Sequence, residues 1–172
     1  MHGELGAPAS NPADFERLLR ANARSMLRFA DFVLHDRSAA EDAVQEAFMI
    51  AWRSRTILRN ESAATPWLRT IVLRECLRWR RRRLFQVLGL SDRVVAPGTP
   101  DPAVHLDLAG ALRRLSPALR AVVYLHYYED QTLTRVAAEL SIPESTAKTR
   151  LYEALRRLHR ALPGYDQPGE QT

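Results

Sequence analysis

Apolar residues in this chain recur at intervals of three and four through almost every segment, and runs of alternating β-branched residues are missing. That period suits helices that bury one stripe, not strands that bury one face. Ala, Leu, Arg and Glu dominate while Gly is scarce, so local propensity agrees with the period. The expected fold class is all-α. Phe15, Leu18, Leu19, Ala23, Met26, Leu27, Ala30 and Val33 mark a first helix from Pro12 or Asp14 to Leu34. The polar break from His35 to Ser38 offers Ser38 as an N-cap, with Glu41 completing a capping box, and a second helix then runs to about Arg55. Residues 56–65 read as a loop. Pro66 suits the first turn of a third helix, which carries Trp67, Leu68, Ile71, Val72, Cys76, Leu77 and Trp79 and ends in Arg80 to Arg83.

The pattern then changes. Gly89 to Val104 holds two glycines and three prolines without helical periodicity, which marks a flexible linker between domains. Beyond it four helices are expected: Leu106–Leu115, Pro117–Tyr128, Leu133–Leu140 and Glu144–Leu162. The organisation is therefore a helical domain over residues 1–88, a linker over 89–105, a second helical domain over 106–162 and a disordered tail over 163–172. A chain of 172 residues with 46% hydrophobic content can bury two modest cores of this kind.

Composition narrows the chemistry. Cys76 is the single cysteine, so an intrachain disulfide is impossible, and the five histidines lie too far apart in sequence to suggest metal ligation. No cofactor is expected. The N-terminus lacks the charged and apolar regions of a secretory signal, and no stretch approaches a membrane span, so a cytoplasmic protein without membrane insertion is expected. The net charge of +5 is unevenly placed. Residues 1–61 carry 8 Arg against 9 acidic residues and residues 94–172 carry 9 Lys or Arg against 9. Residues 62–93 carry 8 Arg against only Glu75 and Asp92. The whole excess sits where a polyanion would feel it most.

Three surfaces follow from the helical period. On the second helix Asp42, Gln45, Glu46 and Met49 share a face opposite Val44, Ala47, Phe48 and Ala51, giving either a solvated surface or a dock for a basic helical partner. No nucleophile, histidine or metal cluster accompanies these carboxylates, which excludes a catalytic reading. The third helix sets Trp67 and Trp79 among arginines, and guanidinium forks with aromatic faces suit phosphates and unpaired bases. Trp67 serves core and surface readings equally, whereas the arginines flanking Trp79 favour a surface role. From Thr132 to Leu158 the chain has the layout of a helix-turn-helix around Leu140 to Pro143. There Ser145, Lys148, Thr149, Tyr152 and Arg156 oppose the inward stripe Ala147, Leu151, Ala154, Leu155 and Leu158, and the mixed face suits base edges and phosphates. Ser141 either takes a positive φ at some cost or forms a capping box with Glu144.

Taken together, Ala40-Glu41-Asp42-Ala43-Val44-Gln45-Glu46-Ala47-Phe48 with Ala51-Trp52-Arg53, then Trp67-Leu68-Arg69-Thr70-Ile71, then Leu115-Ser116-Pro117 through Tyr127-Tyr128-Glu129-Asp130 into the helix-turn-helix, resemble the extracytoplasmic-function group of the sigma-70 family. The resemblance covers nearly the whole chain. It implies an RNA polymerase sigma factor, not an enzyme, that binds core bacterial RNA polymerase, recognises promoter DNA and promotes its opening. It implies polymerase docking through Asp42, Gln45 and Glu46. It implies minus-10 contacts by Asn60, Trp67, Arg69, Thr70, Arg74, Arg78, Trp79, Arg80, Arg81 and Arg82. It implies minus-35 contacts by Ser145, Thr146, Lys148, Thr149, Arg150 and Tyr152, and an anti-sigma factor as a further partner. The chain departs from the family in carrying Arg74 and Arg78 where an Asn and an Asp are usual. A conventional helix-turn-helix regulator with a helical sensing or dimerisation domain is the alternative.

Overall fold

The computed structural model describes residues 11–58, 63–88 and 108–162, so the expected linker and tail, 89–105 and 163–172, lie outside the described residues. Among the described residues the fold is all-α, in seven α-helices. The first, α1, spans Pro12–Leu34; Asn11 caps it by accepting from the Ala13 N–H at 3.1 Å, with Pro12 in the first turn. Phe15, Met26, Phe29, Ala30 and Val33 form its buried stripe. The helix stops at His35, which adopts a left-handed conformation (φ 52°) and returns its N–H to the Asp31 carbonyl at 2.7 Å.

The second helix, α2 (Arg37–Arg53), begins earlier than its expected Ser38 cap. Asp36, in an extended conformation, accepts from the Ala39 N–H at 3.0 Å, and Glu41 pairs with Arg37 instead of closing a capping box. A carboxylate one residue before the first helical turn outcompetes the hydroxyl inside it. After a short 3-10 turn at Arg55–Ile57, α3 runs over Ala64–Leu88, longer at both ends than expected. Its stripe, Leu68, Ile71, Val72, Leu73 and Cys76, closes the core formed with α1 and α2. Phe15 sits at its centre, with ring centroids 5.9 Å from Trp52 and 6.3 Å from Trp67.

The C-terminal half comprises α4 (Leu108–Arg114), α5 (Pro117–Val123), α6 (Leu133–Leu140) and α7 (Glu144–Ala161). Ser116 caps α5 and Thr132 caps α6. From Tyr124 to Tyr128 the α5 helix widens into one π turn, closed by the Glu129 N–H on the Tyr124 carbonyl at 3.1 Å, where an uninterrupted helix to Tyr128 was expected. This extra residue per turn keeps Tyr124 buried while Tyr127 and Tyr128 face outward.

The two halves are the two helical domains expected, and they pack against each other. Helix α1 packs against α5, and α3 packs against α5 and α6, so a single hydrophobic cluster runs from Phe15 to Ala154. Tyr124 enters the N-terminal half between Phe29 and Phe32, each 5.2 Å away by ring centroids. No helix among the described residues is long and apolar enough to cross a membrane.

His35 gives this seam a pH dependence. Burial chiefly, then the positive fields of Arg120 and Arg113, pull the imidazole down from its ordinary 6.5 to about 4, against the opposing pull of Asp31. The unfolded chain thus takes up the proton first, and stability is lost as pH falls from about 6.5 towards about 4. Asn tolerates the left-handed backbone, so His35→Asn should retain the fold and flatten this part of the curve. Denaturant unfolding followed by circular dichroism across that interval measures both slopes.

Candidate functional site

Helices α6 and α7 are joined by a tight turn, the layout of a helix-turn-helix. Ser141 ends α6 with a left-handed backbone (φ 54°), its N–H on the Ala138 carbonyl at 3.2 Å, while Ile142 returns to Ala137 at 3.0 Å. The positive-φ alternative therefore holds. The capping box with Glu144 does not form, since Pro143 precedes α7 without a side-chain cap. Ala147, Leu151 and Ala154 turn inward, leaving Ser145, Lys148, Thr149 and Tyr152 exposed with Thr146 and Arg150 at the margins. Lys148 Nζ lies 5.9 Å from the Tyr152 ring centroid, and the Thr149 hydroxyl donates to the Ser145 carbonyl at 2.8 Å. Further along, Arg156 and Arg157 are both held by Glu153, whereas Lys148 and Arg150 make no ion pair among the described residues. The free cations thus cluster near the N-terminal half of α7, the end that a recognition helix presents to bases.

Helix α3 divides its polar residues differently. Arg74, Arg81 and Arg82 are exposed, and Arg78 reaches the nearly buried Glu75 at 3.4 Å. Arg80 is half-buried, and that burial lowers its pKa. Trp79 is half-buried beneath the Arg83 guanidinium, 5.3 Å from the ring centroid, and Arg83 also meets Asp36 at 3.0 Å. Trp67 is half-buried against Phe15. Arg69 is only 3% exposed: it meets Glu139 of α6 at 2.5 Å and Glu129 at 3.5 Å. The single Thr70 hydroxyl proton lies within hydrogen-bond reach of two acceptors, the Glu139 and Pro66 backbone carbonyls. In this arrangement Arg69 and Thr70 are engaged by the C-terminal half rather than presented to solvent. Asn60 lies outside the described residues.

On α2, Asp42 and Gln45 are exposed and Glu46 is half-exposed, with neither carboxylate in an ion pair among the described residues. Two concavities flank this face. A groove of about 640 Å³ between α1 and α2 is lined by Ala23, Leu27, Val44, Gln45, Phe48 and Trp52, with Met49 at its edge. A second, of about 480 Å³, places Asp42, Glu46 and Glu75 opposite Trp79, Arg82 and Arg83. The acidic face of α2 and the basic end of α3 therefore share one crevice, which helical period alone did not bring together. Trp52, 36% exposed, is the side chain that the sequence-derived α2 face leaves out, while Met49, 42% exposed, stands on it beside Asp42, Gln45 and Glu46. A signal for Trp52 lay in its spacing, three residues after Met49 and four after Phe48.

The family description "Sigma-70 region 2" matches residues 18–84, and "Sigma-70, region 4" matches residues 105–158. The chain is 33% identical to the ECF RNA polymerase sigma factor SigL of Mycobacterium tuberculosis over 165 residues, covering 91% of this chain and 93% of that protein. It is 32% identical to SigM of the same organism, covering 90% and 80%. Among solved structures it resembles the sigma factor RpoE of Bartonella quintana, crystallised with the anti-sigma factor NepR, at a TM-score of 0.67 and 27% identity, covering 89% of this chain and 99% of that one. CnrH in complex with the cytosolic domain of CnrY shares the fold at a TM-score of 0.62 and 18% identity, covering 92% of this chain and 94% of that one.

One nucleophile remains to be placed. Cys76 is fully buried on α3, and burial, reinforced by Glu75, pushes its thiol up to about 12. A thiolate is scarce there at neutral pH. Among the described residues no group of three His, Cys, Asp or Glu side chains is placed to hold a metal ion. Thiol titration with an aromatic disulfide should therefore proceed orders of magnitude more slowly on the native chain than on the chain unfolded in guanidinium. Equal rates would show that Cys76 is accessible.

Proposed function

The chain belongs to the extracytoplasmic-function group of the sigma-70 family, and from that premise we propose how its surfaces divide the work of an RNA polymerase sigma factor. Core RNA polymerase and promoter DNA are its partners. Residues 1–88 form the polymerase-docking and minus-10 domain, and residues 106–162 the minus-35 domain, with 89–105 connecting them. Asp42, Gln45 and Glu46 engage the polymerase, with Met49 and Trp52 supplying apolar contact at the rim of the same groove. The observation carrying this reading is the exposed, unpaired acidic face of α2 beside an apolar groove, on a chain whose other half displays a free Lys148 and Arg150 on a recognition helix.

Ser145, Thr146, Lys148, Thr149, Arg150 and Tyr152 read the minus-35 duplex from the major groove. Trp67, Arg69, Thr70, Arg74, Arg78, Trp79, Arg80, Arg81 and Arg82, together with Asn60, form the minus-10 set. Within it the exposed Arg74, Arg81 and Arg82 supply phosphate attraction, and Trp79 offers a stacking surface. Arg74 and Arg78 shift the balance of this set from base hydrogen bonding towards charge. Protein groups that meet separated strands and not the closed duplex move the equilibrium towards melting, and no covalent chemistry is required. The chain acts in the cytoplasm, where polymerase and chromosome are found. An anti-sigma factor that covers its polymerase and DNA surfaces is a further partner.

Specific-start transcription with core polymerase is the decisive assay. The double variant Asp42→Arg, Glu46→Arg should lose core binding by at least about tenfold, as interfacial charge reversal does, while keeping its helical spectrum because both side chains point outward. Undiminished initiation by the double variant would remove α2 from the docking surface. A second measurement addresses α3. Neutralising Arg81 and Arg82 should reduce the log-log salt slope of promoter binding by roughly one for each phosphate left unneutralised. An unchanged slope would leave that arginine run as a structural helix end.

A further inference from the structure

The two halves meet across a polar seam whose parts are inaccessible to the function just proposed. Arg69 projects from α3, the proposed minus-10 helix, into the C-terminal half, where Glu139 and Glu129 receive it. Glu139 is itself 5% exposed; its second carboxylate oxygen accepts from the Gln131 amide at 3.0 Å, and its backbone carbonyl accepts from Thr70. The Arg69 guanidinium also lies over the Phe29 ring of α1, 5.8 Å from the centroid. Three helices and the turn before α6 thus converge on one guanidinium. Pro66, Trp67, Thr70, Ile71 and Arg74 face Ala138, Glu139 and Ser141 across the adjoining crevice.

We propose that the Arg69–Glu139 pair is a latch that holds the chain in a closed state unable to engage both promoter elements, and that its release is a step in activation. This rests on the sigma-factor reading for what α3 and α7 must touch. A compact body of 172 residues has a radius of gyration of about 16 Å. The two elements are, by their names, about 25 base pairs apart, or about 85 Å of duplex at about 3.4 Å per pair. No single compact body of this size spans that distance. Residues 89–107, between α3 and α4, can reach at most about 65 Å if extended, which with the dimensions of the two halves is enough once the seam has parted. The closed seam also withholds Arg69 and Thr70 from DNA, while the α7 face stays open.

The seam carries an opposing element. Arg120 of α5 is 4% exposed, its Nε has no acceptor, and it forms no ion pair among the described residues. Burial chiefly, and then the like charge of Arg80 on α3, lower its pKa to about 10. Arg69, held at 2.5 Å by Glu139 and more loosely at 3.5 Å by Glu129, is the charged link between the halves, so loss of the shorter contact leaves a buried guanidinium underpaired and disturbs the closed state.

Two experiments on the full chain test the latch. Small-angle scattering should show Glu139→Gln expanded by several Å in radius of gyration relative to the wild type, with helical content unchanged; an equally compact variant overturns the proposal. Separately, Ala63→Cys and Ala138→Cys, both exposed and lining opposite sides of the crevice, can be joined by a short cleavable bis-thiol crosslinker, with buried Cys76 unreactive. Joined protein should initiate transcription at least tenfold less than the same protein after cleavage of the linker. Equal initiation before and after cleavage overturns the latch. Failure of the cleaved and wild-type proteins alike would strike the sigma-factor reading instead, and scattering on Glu139→Gln would still decide the latch.

Discussion

A guanidinium removed from water must find acceptors, and the packing of the two halves is arranged around that demand at Arg69. Its carboxylate partners come from the far half of the sequence, and Glu139 is oriented in turn by Gln131 and anchored through its backbone by Thr70. Such a pair contributes little net stability over an apolar contact of equal volume, because desolvation consumes most of the Coulombic gain. Removing one member is another matter: the survivor is left charged and buried, typically at a cost of about 3–5 kcal/mol. The pair therefore acts less as glue than as a register mark. It makes one docking of α6 on α3 acceptable and others costly. Even that docking leaves Arg69 Nε without an acceptor, which limits how strongly the pair holds.

Apolar packing supplies what the ion pair does not. Tyr124 reaches from the C-terminal half into the rings of Phe29 and Phe32, and the π turn allows this without burying Tyr128, which stacks on Tyr124 at 4.8 Å from outside. Burial and the nearby Glu129 raise the Tyr124 hydroxyl to about 12, so it stays neutral across the physiological range and adds no charge to the seam. Non-directional aromatic contact and a directional ion pair thus act on the same interface. The first favours contact in many orientations, and the second selects among them.

Helix existence was legible in the sequence because the burial period of 3.6 is written into residues such as Phe15, Met26 and Val33. Boundaries were less so, since Asp36 and Ser38 both satisfy a capping rule and only their positions relative to the His35 turn decide between them. The α7 face was readable for the same reason as the helices: its residues are local and turn outward together. Arg69 was not. Helical period marks it as a polar residue on a basic helix, and its partner lies 70 residues away, a contact that only tertiary packing reveals. Trp67, which the period left evenly between core and surface, sits between the two, half-buried against Phe15. Likewise, the crevice joining Asp42 and Glu46 to Arg82 and Arg83 exists because α2 and α3 lie side by side, which no single-helix pattern encodes.

The seam gives the two proposed nucleic-acid surfaces unequal freedom. On α7 the exposed Lys148 and the half-exposed Arg150 are in no ion pair among the described residues, so an electrostatic encounter with duplex DNA needs no rearrangement there. On α3 the exposed Arg74, Arg81 and Arg82 are also available, but Arg69 and Thr70 must first exchange Glu139 for another partner. Whatever releases them has to compensate a buried charge as it is uncovered, and phosphate or water can do so only once the crevice has opened. A partner that binds the α2 face touches Asp42 and Glu46, which border the same α3 end that carries Arg82 and Arg83. Such a partner contacts the helix bearing Arg69 without touching Arg69 itself. Any bias it places on the seam must then come from a differential affinity for the open and closed states, transmitted along one rigid helix.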